Sequence, residues 1–374
     1  MPFRWYELVR RDDLGTTKVW KYDSLTKGAL SALKFTVEAQ NGGTSNKNNP
    51  IYDNVKEINI VDGAYAAWSL PGPLARAQSI LNTKSLMSTK WSEQASGWQG
   101  DEFLMQFGDY LGDPSKYLSL DSMGNPIIQV DWDEAKVQDA GATGYLSDSG
   151  RMNVLALIDT ERMGRAPGGF HRMRKIDEWT SLGSGDHDTT IDCDFPIRSL
   201  LLRAFLEGGE PGEFISQGKL SFGADEYVPI DEYIEDRMQL NVQEFQEPQC
   251  FGSRIMAATA AWKQGPFAFN QCAIPTARVA GAIFRHISVE ALNAYQARLR
   301  IYDNAGVAIT TDEEIDMAWF GYCPLGTVGW RWGAPGFTVD PLPANRYKKG
   351  TFKFTQVIAD AECTVGQEQI AVQP

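Results

Sequence analysis

Short segments in which apolar and polar residues alternate recur along the whole chain, and this period of two is the feature that most constrains the fold. The clearest example is Leu33, Phe35 and Val37, which alternate with Lys34 and Thr36. Successive side chains of a β-strand point to opposite faces, so such a segment places one face in a core and the other in water. The same alternation returns at residues 58–60, 128–132, 220–222, 299–301 and 352–354. Strands of this length and spacing predict a β-sandwich or a barrel.

Length and composition suit two β-rich domains. A chain of 374 residues is long for one domain, and two is the natural expectation. Hydrophobic residues make up 43% of the chain and charged residues 22%, which describes a globular protein with an ample core. The 35 glycines and 18 prolines fit an all-β chain with many turns.

Two segments instead predict helices. The first follows Pro73, which suits a first helical turn. Its apolar residues at helical spacing are Leu74, Ala77 and Leu81. The second follows Pro229, with Asp231 as its predicted N-cap. Its apolar stripe is Ile230, Tyr233, Ile234 and Met238.

The order of these elements repeats. In each half a long strand (29–40 and 196–206) leads through a Gly-rich turn into two shorter strands and then a helix. Chance recurrence in an all-β chain is the alternative, but one β-sandwich plan used twice explains the order better. We therefore predict an all-β fold of two tandem jelly-roll β-sandwiches with a short helix in each. The predicted division is an N-terminal arm at 1–15, a first jelly roll at 16–163 and a second at 164–374.

Charge and motifs exclude several classes of protein. The net charge of −13 argues against direct nucleic-acid binding, which needs clustered Lys and Arg. The five cysteines form no CxxC pair and are expected to be buried in a reducing compartment. No stretch approaches the roughly 20 apolar residues that span a bilayer. The N-terminal residues hold no apolar signal-peptide core, so we expect synthesis and folding in a cytoplasm.

Catalytic and cofactor motifs are missing from the sequence. It contains no P-loop, GxGxxG, GxSxG or HExxH pattern. The only histidines are His171, His187 and His286, and no two have the spacing of metal ligands. We therefore expect no cofactor, no metal and no enzymatic activity.

One segment does offer a candidate catalytic pair. Glu314 and Asp316 would point to one face of a strand, as retaining glycosidases require of their two carboxyl groups. The segment resembles the active-site strand of the Trp-rich jelly-roll glucanases, but Ala318 stands where that family has its second Glu. An acidic turn that enters a buried strand explains these residues better.

A second acidic group could hold calcium, because hard cations prefer carboxylate oxygens. Its members are Asp186, Asp188, Asp192 and Asp194. They lack the twelve-residue EF-hand pattern, so a polar loop that leads into the strand at Pro196 is the favoured interpretation.

The N-terminal segment is basic and aromatic in an otherwise acidic protein. Its candidate contact residues are Arg4, Trp5, Leu8, Arg10 and Arg11. Trp5, Leu8 and Val9 have the spacing i, i+3, i+4, and such a segment can lie on an anionic membrane or on the inside of a shell. Packing on its own domain or on a neighbouring subunit is the equally open alternative.

A late loop supplies a second candidate contact. Trp330 and Trp332 flank Arg331 in a segment rich in Gly, Pro and Trp. Aromatic and Arg side chains are enriched in protein interfaces, so we predict that these three residues form an exposed contact patch.

With these features the chain resembles the double jelly-roll major capsid proteins of tailless icosahedral viruses, the lineage that includes adenovirus hexon. The segments that carry the resemblance are 26–30, 33–39, 41–43, 58–63, 107–113, 196–208 and 227–231. The resemblance implies upright jelly rolls, a homotrimer of pseudo-hexagonal outline and tiling of an icosahedral shell. It also implies contacts with neighbouring capsomers, with minor capsid proteins and, through the N-terminus, with an internal membrane.

The sequence therefore predicts a major capsid protein located in the virion. A jelly-roll carbohydrate-active enzyme that uses Glu314 and Asp316 is one alternative. A viral spike or receptor-binding protein is another, since such proteins are also β-rich and often trimeric.

Overall fold

The computed structural model describes residues 3–15, 17–25, 27–42, 51–83, 89–90, 96–134, 144–162, 167–206, 211–245, 250–252, 284–291, 296–303, 313–319, 326–332 and 340–373. The first strands are β1 (Arg4–Asp13), β2 (Thr17–Tyr22), β3 (Ala29–Gln40), β4 (Val55–Asp62), β5 (Tyr65–Leu70), β6 (Thr89–Lys90), β7 (Trp98–Gln106), β8 (Leu118–Ser119), β9 (Ile127–Asp133) and β10 (Arg151–Asp159). The later strands are β11 (Phe170–Thr180), β12 (Gly185–Ile191), β13 (Ile197–Phe205), β14 (Ile215–Phe222), β15 (Tyr227–Tyr233), β16 (Cys250–Gly252), β17 (Phe284–Ala291), β18 (Gln296–Asp303), β19 (Glu313–Trp319), β20 (Thr327–Arg331), β21 (Gly350–Gln356) and β22 (Glu362–Ala371). The helices are α1 (Gly72–Thr83), α2 (Pro211–Phe214) and α3 (Ile234–Phe245).

These strands form four sheets. One has the order β1-β10-β3-β7-β6, with β8 also paired to β3. The largest has eight strands in the order β2-β9-β4-β5-β11-β22-β13-β20. Two four-stranded sheets follow the orders β12-β21-β14-β15 and β16-β19-β18-β17.

The strand orders reveal an internal repeat. The set β1-β10-β3-β7 corresponds to β11-β22-β13-β20, and β2-β9-β4-β5 corresponds to β12-β21-β14-β15, with α1 and α3 in the same place in the chain order. We call β1–β10 with α1 the first β unit and β11–β22 with α3 the second β unit. The predicted all-β fold of two tandem jelly rolls with a short helix in each is confirmed.

Bulges occur at matching positions in the two units. The pairing of β1 with β10 shifts after Glu7, and the pairing of β11 with β22 shifts after Lys175. The pairing of β3 with β10 skips Ser31, and the pairing of β13 with β22 skips Arg198. Because bulges bend and twist a strand locally, the shared positions support the correspondence of these strands in the two units.

Each unit has its own hydrophobic core. The first core contains the inward side chains of the first unit, such as Phe35, Trp68 and Trp132, together with Phe170 and Leu201 from the second unit. The second core contains Leu200, Leu202, Phe222, Phe352 and Phe354. Burial of these large apolar side chains is the main favourable term in folding.

In the first unit the helix α1 closes an open sheet edge. The edge is that of β7, past the part that pairs with the short strand β6. There the side chain of Ser79 accepts a hydrogen bond from the Leu104 amide (2.9 Å) and donates one to the Leu104 carbonyl (3.1 Å). Arg76 donates to the carbonyl of Glu102 at 2.7 Å. The helix thus satisfies backbone groups that a further strand would otherwise bind.

In the second unit α3 does the same for β20. The Gly329 amide donates to Asn241 Oδ1, and Asn241 Nδ2 donates to the Gly329 carbonyl, both at 2.7 Å. Arg237 Nε also donates to this carbonyl at 2.8 Å. Leu104 and Gly329 are therefore equivalent residues of the two units.

The large sheet is buried on both faces where the units meet. Leu200 and Leu202 lie in the second core, whereas Leu201 lies in the first. A Cβ on Gly366 would stand 2.8 Å from Leu74, and one on Gly329 would stand 3.5 Å from Leu81, both side chains of α1. Gly366 thus lets α1 pack closely against this sheet, whereas the contact at Gly329 is an ordinary one. Burial on both faces explains the unbroken apolar run at residues 200–202.

Several local predictions need correction. Residues 230–233 belong to β15, and the second helix begins only at Ile234, so Asp231 is not its N-cap. The hairpin pairing of β15 with β14 holds this segment extended and overrides its helical spacing. Residues 185–191 form β12 rather than a polar loop, because they pair with β21 along their whole length.

We predict that Asn241→Ala lowers the free energy of unfolding by about 2–3 kcal/mol, since it leaves the buried amide of Gly329 without its acceptor and removes one donor from the carbonyl. Urea denaturation would measure the loss. Gln239→Ala, at an exposed position of the same helix, is the matched control and should change it by less than about 0.5 kcal/mol. Equal effects of the two variants would count against the role of Asn241.

Candidate functional site

The loop of residues 107–116 follows β7 and extends from the first unit to the second, where it contacts β11. The carboxylate of Asp113 accepts hydrogen bonds from Ser115 and, through Oδ2, from the amide of Asp109 (3.0 Å). Gly108 is required here, because a Cβ would stand 2.4 Å from the Lys116 carbonyl oxygen. The loop is thereby held so that Asp109 faces β11, and the amide of His171 donates to the carbonyl of Phe107 at 2.9 Å.

Four side chains from four segments meet at this point, and we call Asp109, His171, Arg198 and Glu368 the junction cluster. Arg198 Nη1 lies 2.9 Å from each carboxylate oxygen of Glu368. The imidazole of His171 lies between two carboxylates, with Nε2 at 3.2 Å from Asp109 and Nδ1 at 3.5 Å from Glu368. Ser199 donates to Glu368 at 2.7 Å, and Lys116 to Asp109 at 2.6 Å.

Three members of the junction cluster are buried. Glu368 and His171 have no exposed area and Arg198 is 1% exposed, whereas the side chain of Asp109 is 19% exposed. Ionised groups deep in a protein are tolerated only when they are paired and hydrogen-bonded. Glu368 meets that condition through Arg198 and Ser199, and Asp109 is bonded by Lys116. Asp109 belongs to the first β unit and the other three cluster residues to the second.

Burial and neighbouring charges set the pKa values in the cluster. Burial, aided by the Arg198 guanidinium, lowers the pKa of His171 although two carboxylates face it. Burial alone would raise the pKa of Glu368, but Arg198 and then His171 outweigh it and hold that pKa at about 2. Burial opposes ionisation of Asp109 as well, yet the adjacent His171 and Lys116 keep its pKa below the ordinary value. The carboxylates are therefore charged and His171 is neutral at neutral pH.

Beside the cluster the two units share backbone hydrogen bonds. Strand β5 of the first unit pairs in parallel with β11 of the second, with Trp68 opposite Met173 and Ser69 opposite Arg174. Arg172 extends the contact, because its Nε donates to the Ala66 carbonyl at 3.1 Å. Its guanidinium also lies 5.2 Å from the ring centroid of Tyr65, a cation–π distance.

The charged groups of the junction cluster face each other. The cluster's contact between the two β units is made by Asp109, which lies 3.2 Å from His171 and 3.6 Å from Arg198. The sequence does not predict this cluster, since its residues lie up to about 260 positions apart and no pattern connects segments 107–113 and 196–208 with His171 and Glu368. The available signal was a charged residue next to a long apolar run, as at Arg198 in β13.

The N-terminal candidate residues lie in β1, which pairs with β10. The helical spacing of Trp5, Leu8 and Val9 was misleading, because the strand alternation of the same residues prevails once β10 supplies hydrogen bonds. Leu8 and Val9 are half-buried against the first core, whereas Trp5 is 45% exposed. Arg4, Arg10 and Arg11 are exposed as well. The segment thus forms strand β1 of the first β unit.

The predicted exposed patch at residues 330–332 is wrong for Trp330. That side chain is 2% exposed, packs edge-on against Phe352 in the second core and donates from Nε1 to Glu232 at 2.5 Å. Pairing of β20 with β13 turns it inward. Arg331 and Trp332 are half-buried, and Trp332 packs against the second core.

The remaining sequence candidates form no site in the described residues. Glu314 and Asp316 lie in β19, but their side chains are outside the described residues. Asp186 pairs with Lys353 at 2.7 Å, and Asp192 pairs with Arg174. Within the described ranges, no three His, Cys, Asp or Glu side chains are grouped to hold a metal ion. Over the same residues, no helix combines the length and apolar character needed to cross a membrane.

Two cysteines can be placed, and both are free thiols. Cys363 is buried in the second core, and burial raises its pKa to about 12. Cys193 is half-buried, and burial with two nearby aspartates raises its pKa. Cys250, Cys272 and Cys323 have side chains outside the described residues.

Comparison with known proteins identifies the fold. No protein-family model matches the chain, and no curated protein matches it by sequence. Among solved structures, the MCP of STIV, the Sulfolobus Turreted Icosahedral Virus, superposes with a TM-score of 0.62 at 8% identity, covering 99% of this chain and 97% of that one.

Two further structures share the same architecture. PBCV-1 VP54, fitted into a reconstruction of the virophage Sputnik, gives a TM-score of 0.57 at 9% identity and covers 98% of this chain and 92% of that one. The major capsid protein P2 of bacteriophage PM2 gives 0.50 at 9% identity, with 98% and 97% covered. The chain therefore has the double jelly-roll fold of these proteins along its full length.

We predict that Glu368→Gln destabilises the protein by about 3–5 kcal/mol, because it leaves Arg198 buried without its charged partner. Glu362→Gln on the same strand is the matched control: its side chain is 67% exposed and lies 3.5 Å from Arg203. The control should cost less than about 1 kcal/mol in urea denaturation. A loss below that value for Glu368→Gln would show that the buried ion pair with Arg198 does not stabilise the protein.

We predict that acid destabilises the protein in two stages. Unfolded His171 takes up a proton near pH 6.5 while the folded residue does not, so stability falls as the pH drops through about 6.5. Glu368 and Asp109 have lowered pKa values when folded, so their contribution is present above about pH 4 and is lost below it. Melting temperatures between pH 8 and 3 would measure both stages. His171→Gln should remove the first stage only, and an unchanged profile would contradict this assignment.

Proposed function

We propose that this protein is the major structural subunit of an icosahedral virus shell. The observation that supports it best is the full-length match to chains such as the major capsid protein P2 of bacteriophage PM2. A fold can host unrelated functions, so the proposal also relies on the character of the charged site, which is closed and joins two β units rigidly. A shell subunit must hold its shape under load, and such a junction supplies that.

The finer proposal is a homotrimer with a pseudo-hexagonal outline. Two β units of the same shape follow each other in one chain, and three chains would supply six. Head-to-tail contacts close into a ring when the rotation from one unit to the next divides a full turn. The trimers would in turn contact neighbouring capsomers and minor capsid proteins in the virion.

We further propose that the chain is made in the host cytoplasm, takes no cofactor and has no enzymatic role. The net charge of −13 supports a protein that does not bind nucleic acid directly. The proposed domains remain 1–15, 16–163 and 164–374, with the first segment contributed as strand β1. The exposed residues Arg10 and Arg11 at the far end of β1 are suited to the inside of the shell or an internal membrane.

We predict that the purified protein forms trimers of about three times 41.5 kDa by light scattering, and that electron microscopy shows them as particles of six-fold outline. In particles from the source, the chain should be the most abundant protein, which separates a major capsid protein from a scarce spike. Hydrolysis of a glycan that is lost in Glu314→Gln would instead support the carbohydrate-active alternative. A monomer at all concentrations would contradict the trimer.

A further inference from the structure

In the described part of the chain, the junction between β5 and β11 occurs once, although the strands that form it are repeated. Strand β5 ends its half of the large sheet and pairs with β11, the first strand of the next half. The counterpart of β5 in the second unit is β15, and the counterpart of β11 in the first unit is β1. Both are edge strands, and in the described part of the chain neither has a strand on its outer side. The chain thus carries both halves of a second junction, at opposite ends of the repeat.

The register identifies which residues of β1 and β11 are equivalent. When the cross-strand partners are followed from β7 through β3 and β10 to β1, Leu104 leads to Glu7. The same path from β20 through β13 and β22 to β11 leads from Gly329 to Lys175. The bulge directly after Glu7 and that directly after Lys175 support this alignment. Counting back along the strands makes Trp5 equivalent to Met173, Tyr6 to Arg174, and Arg4 to Arg172.

The same procedure aligns β5 with β15. The pairing of β4 with β9 resumes at Glu57 after a bulge, and that of β14 with β21 resumes at Gln217. Their hairpin partners then make Trp68 equivalent to Ile230, Ser69 to Asp231, and Tyr65 to Tyr227. The cross-strand hydrogen bonds agree, since Ser69 bonds to Glu57 and Gln217 bonds to Asp231, both at 2.7 Å.

We propose that β15 pairs in parallel with β1 of a second copy of this chain, and that this repeats between chains the junction found within one. The inference rests on the trimer proposed above and names its contact. Ile230 lies opposite Trp5 of the next copy and Asp231 lies opposite Tyr6, as Trp68 and Ser69 face β11 within the chain. Arg4 of the next copy stacks on Tyr227, as Arg172 stacks on Tyr65.

The exposed side chains on the two edges are complementary. Trp5 and Tyr6 are 45% and 40% exposed, and Tyr227 is 36% exposed, so pairing would remove large apolar surfaces from water. Arg4 is basic and exposed on one edge, and Asp231 is acidic and exposed on the other. Opposite charges and open backbone groups favour strand addition between these edges over association of either edge with itself.

Trp332 takes part in the same contact. Its amide donates to the Arg198 carbonyl at 2.7 Å, as the Phe107 amide donates to the carbonyl of the equivalent residue Ser31 at 2.9 Å. Phe107 is the residue whose carbonyl receives the amide of His171 across the junction within the chain. Trp332 therefore stands where the second unit reaches the next copy, and the residue equivalent to His171 there is Phe3.

The first unit has no ionic group at this position. The residues equivalent to His171, Arg198 and Glu368 are Phe3, Ser31 and Leu157. Leu157 packs with Ala32, Leu104 and Phe3 in a small apolar cluster that is already buried within the first unit. The contact between chains thus has no counterpart of the ionic group and relies on the exposed residues of the two edge strands and on their backbone groups.

Disulfide trapping tests the register directly. Tyr6→Cys and Asp231→Cys are combined in one chain and oxidised under mild conditions, with the wild type and each single variant in parallel to account for native cysteines. We expect covalent dimers and trimers on a non-reducing gel, which reductant converts to monomers. Val19→Cys with Asp231→Cys is the matched control, because Val19 is 47% exposed on β2, and it should remain uncrosslinked.

Light scattering of the same samples separates the possible failures. Trimers in which Tyr6→Cys with Asp231→Cys crosslinks no better than the control would overturn the β1–β15 pairing and leave the trimer standing. A wild type that stays monomeric would overturn the trimer and the pairing together. As a second variant, Arg4→Ala should raise the dissociation constant of the trimer about tenfold with an unchanged melting temperature. Arg10→Ala serves as its control on the same strand, and equal effects of the two would also refute the pairing.

Discussion

The parallel pairing of β5 with β11 is the contact on which the rest of the structure depends. It joins two four-stranded halves into one eight-stranded sheet and so makes two β units a single body. Because the units are joined there, α1 is enclosed between its own unit and the outer face of β13, β20 and β22. That face must then accept a helix, which accounts for glycine at position 366 and for leucine on both sides of β13.

The two units use one surface in two chemical forms. Within the chain, the surface carries Arg198 and Glu368 and receives Asp109, so buried charges are paired during folding. On the first unit the equivalent positions hold Leu157 and Ala32, which are buried in a small apolar cluster of that unit. Buried ion pairs confer geometric specificity at a desolvation cost, whereas apolar contacts form without such a cost.

The edge strands of the sheets also differ in what covers them. The edges of β7 and β20 are closed by polar side chains of α1 and α3, which occupy the backbone groups of Leu104 and Gly329. The edges of β1 and β15 carry exposed aromatic residues instead. Since an open edge invites pairing with another chain, the contact between copies that we propose uses the edges of β1 and β15 and not those that the helices close.

The sequence alone determined the class of fold and its repetition. Alternating apolar and polar residues predicted strands such as β3 and β4 correctly, because the period of a strand is a local property that needs no partner. The order of strands, Gly-rich turn and helix disclosed the tandem plan for the same reason. Local patterns failed where a partner strand decided the outcome, as in β12, in β1 and at the start of α3, where hydrogen bonds to β21, β10 and β14 override spacing and composition.

Only the tertiary structure decided where the charged and aromatic residues act. His171 and Glu368 are 197 positions apart, and no sequence pattern connects them to Asp109, which lies on the other β unit. The sequence predicts Trp330 in an exposed loop, whereas the pairing of β20 with β13 turns its side chain into the second core. Local sequence patterns therefore predict the strands of this protein. Burial and strand register depend on residues that are distant in sequence, so only the folded sheet determines which side chains contact each other.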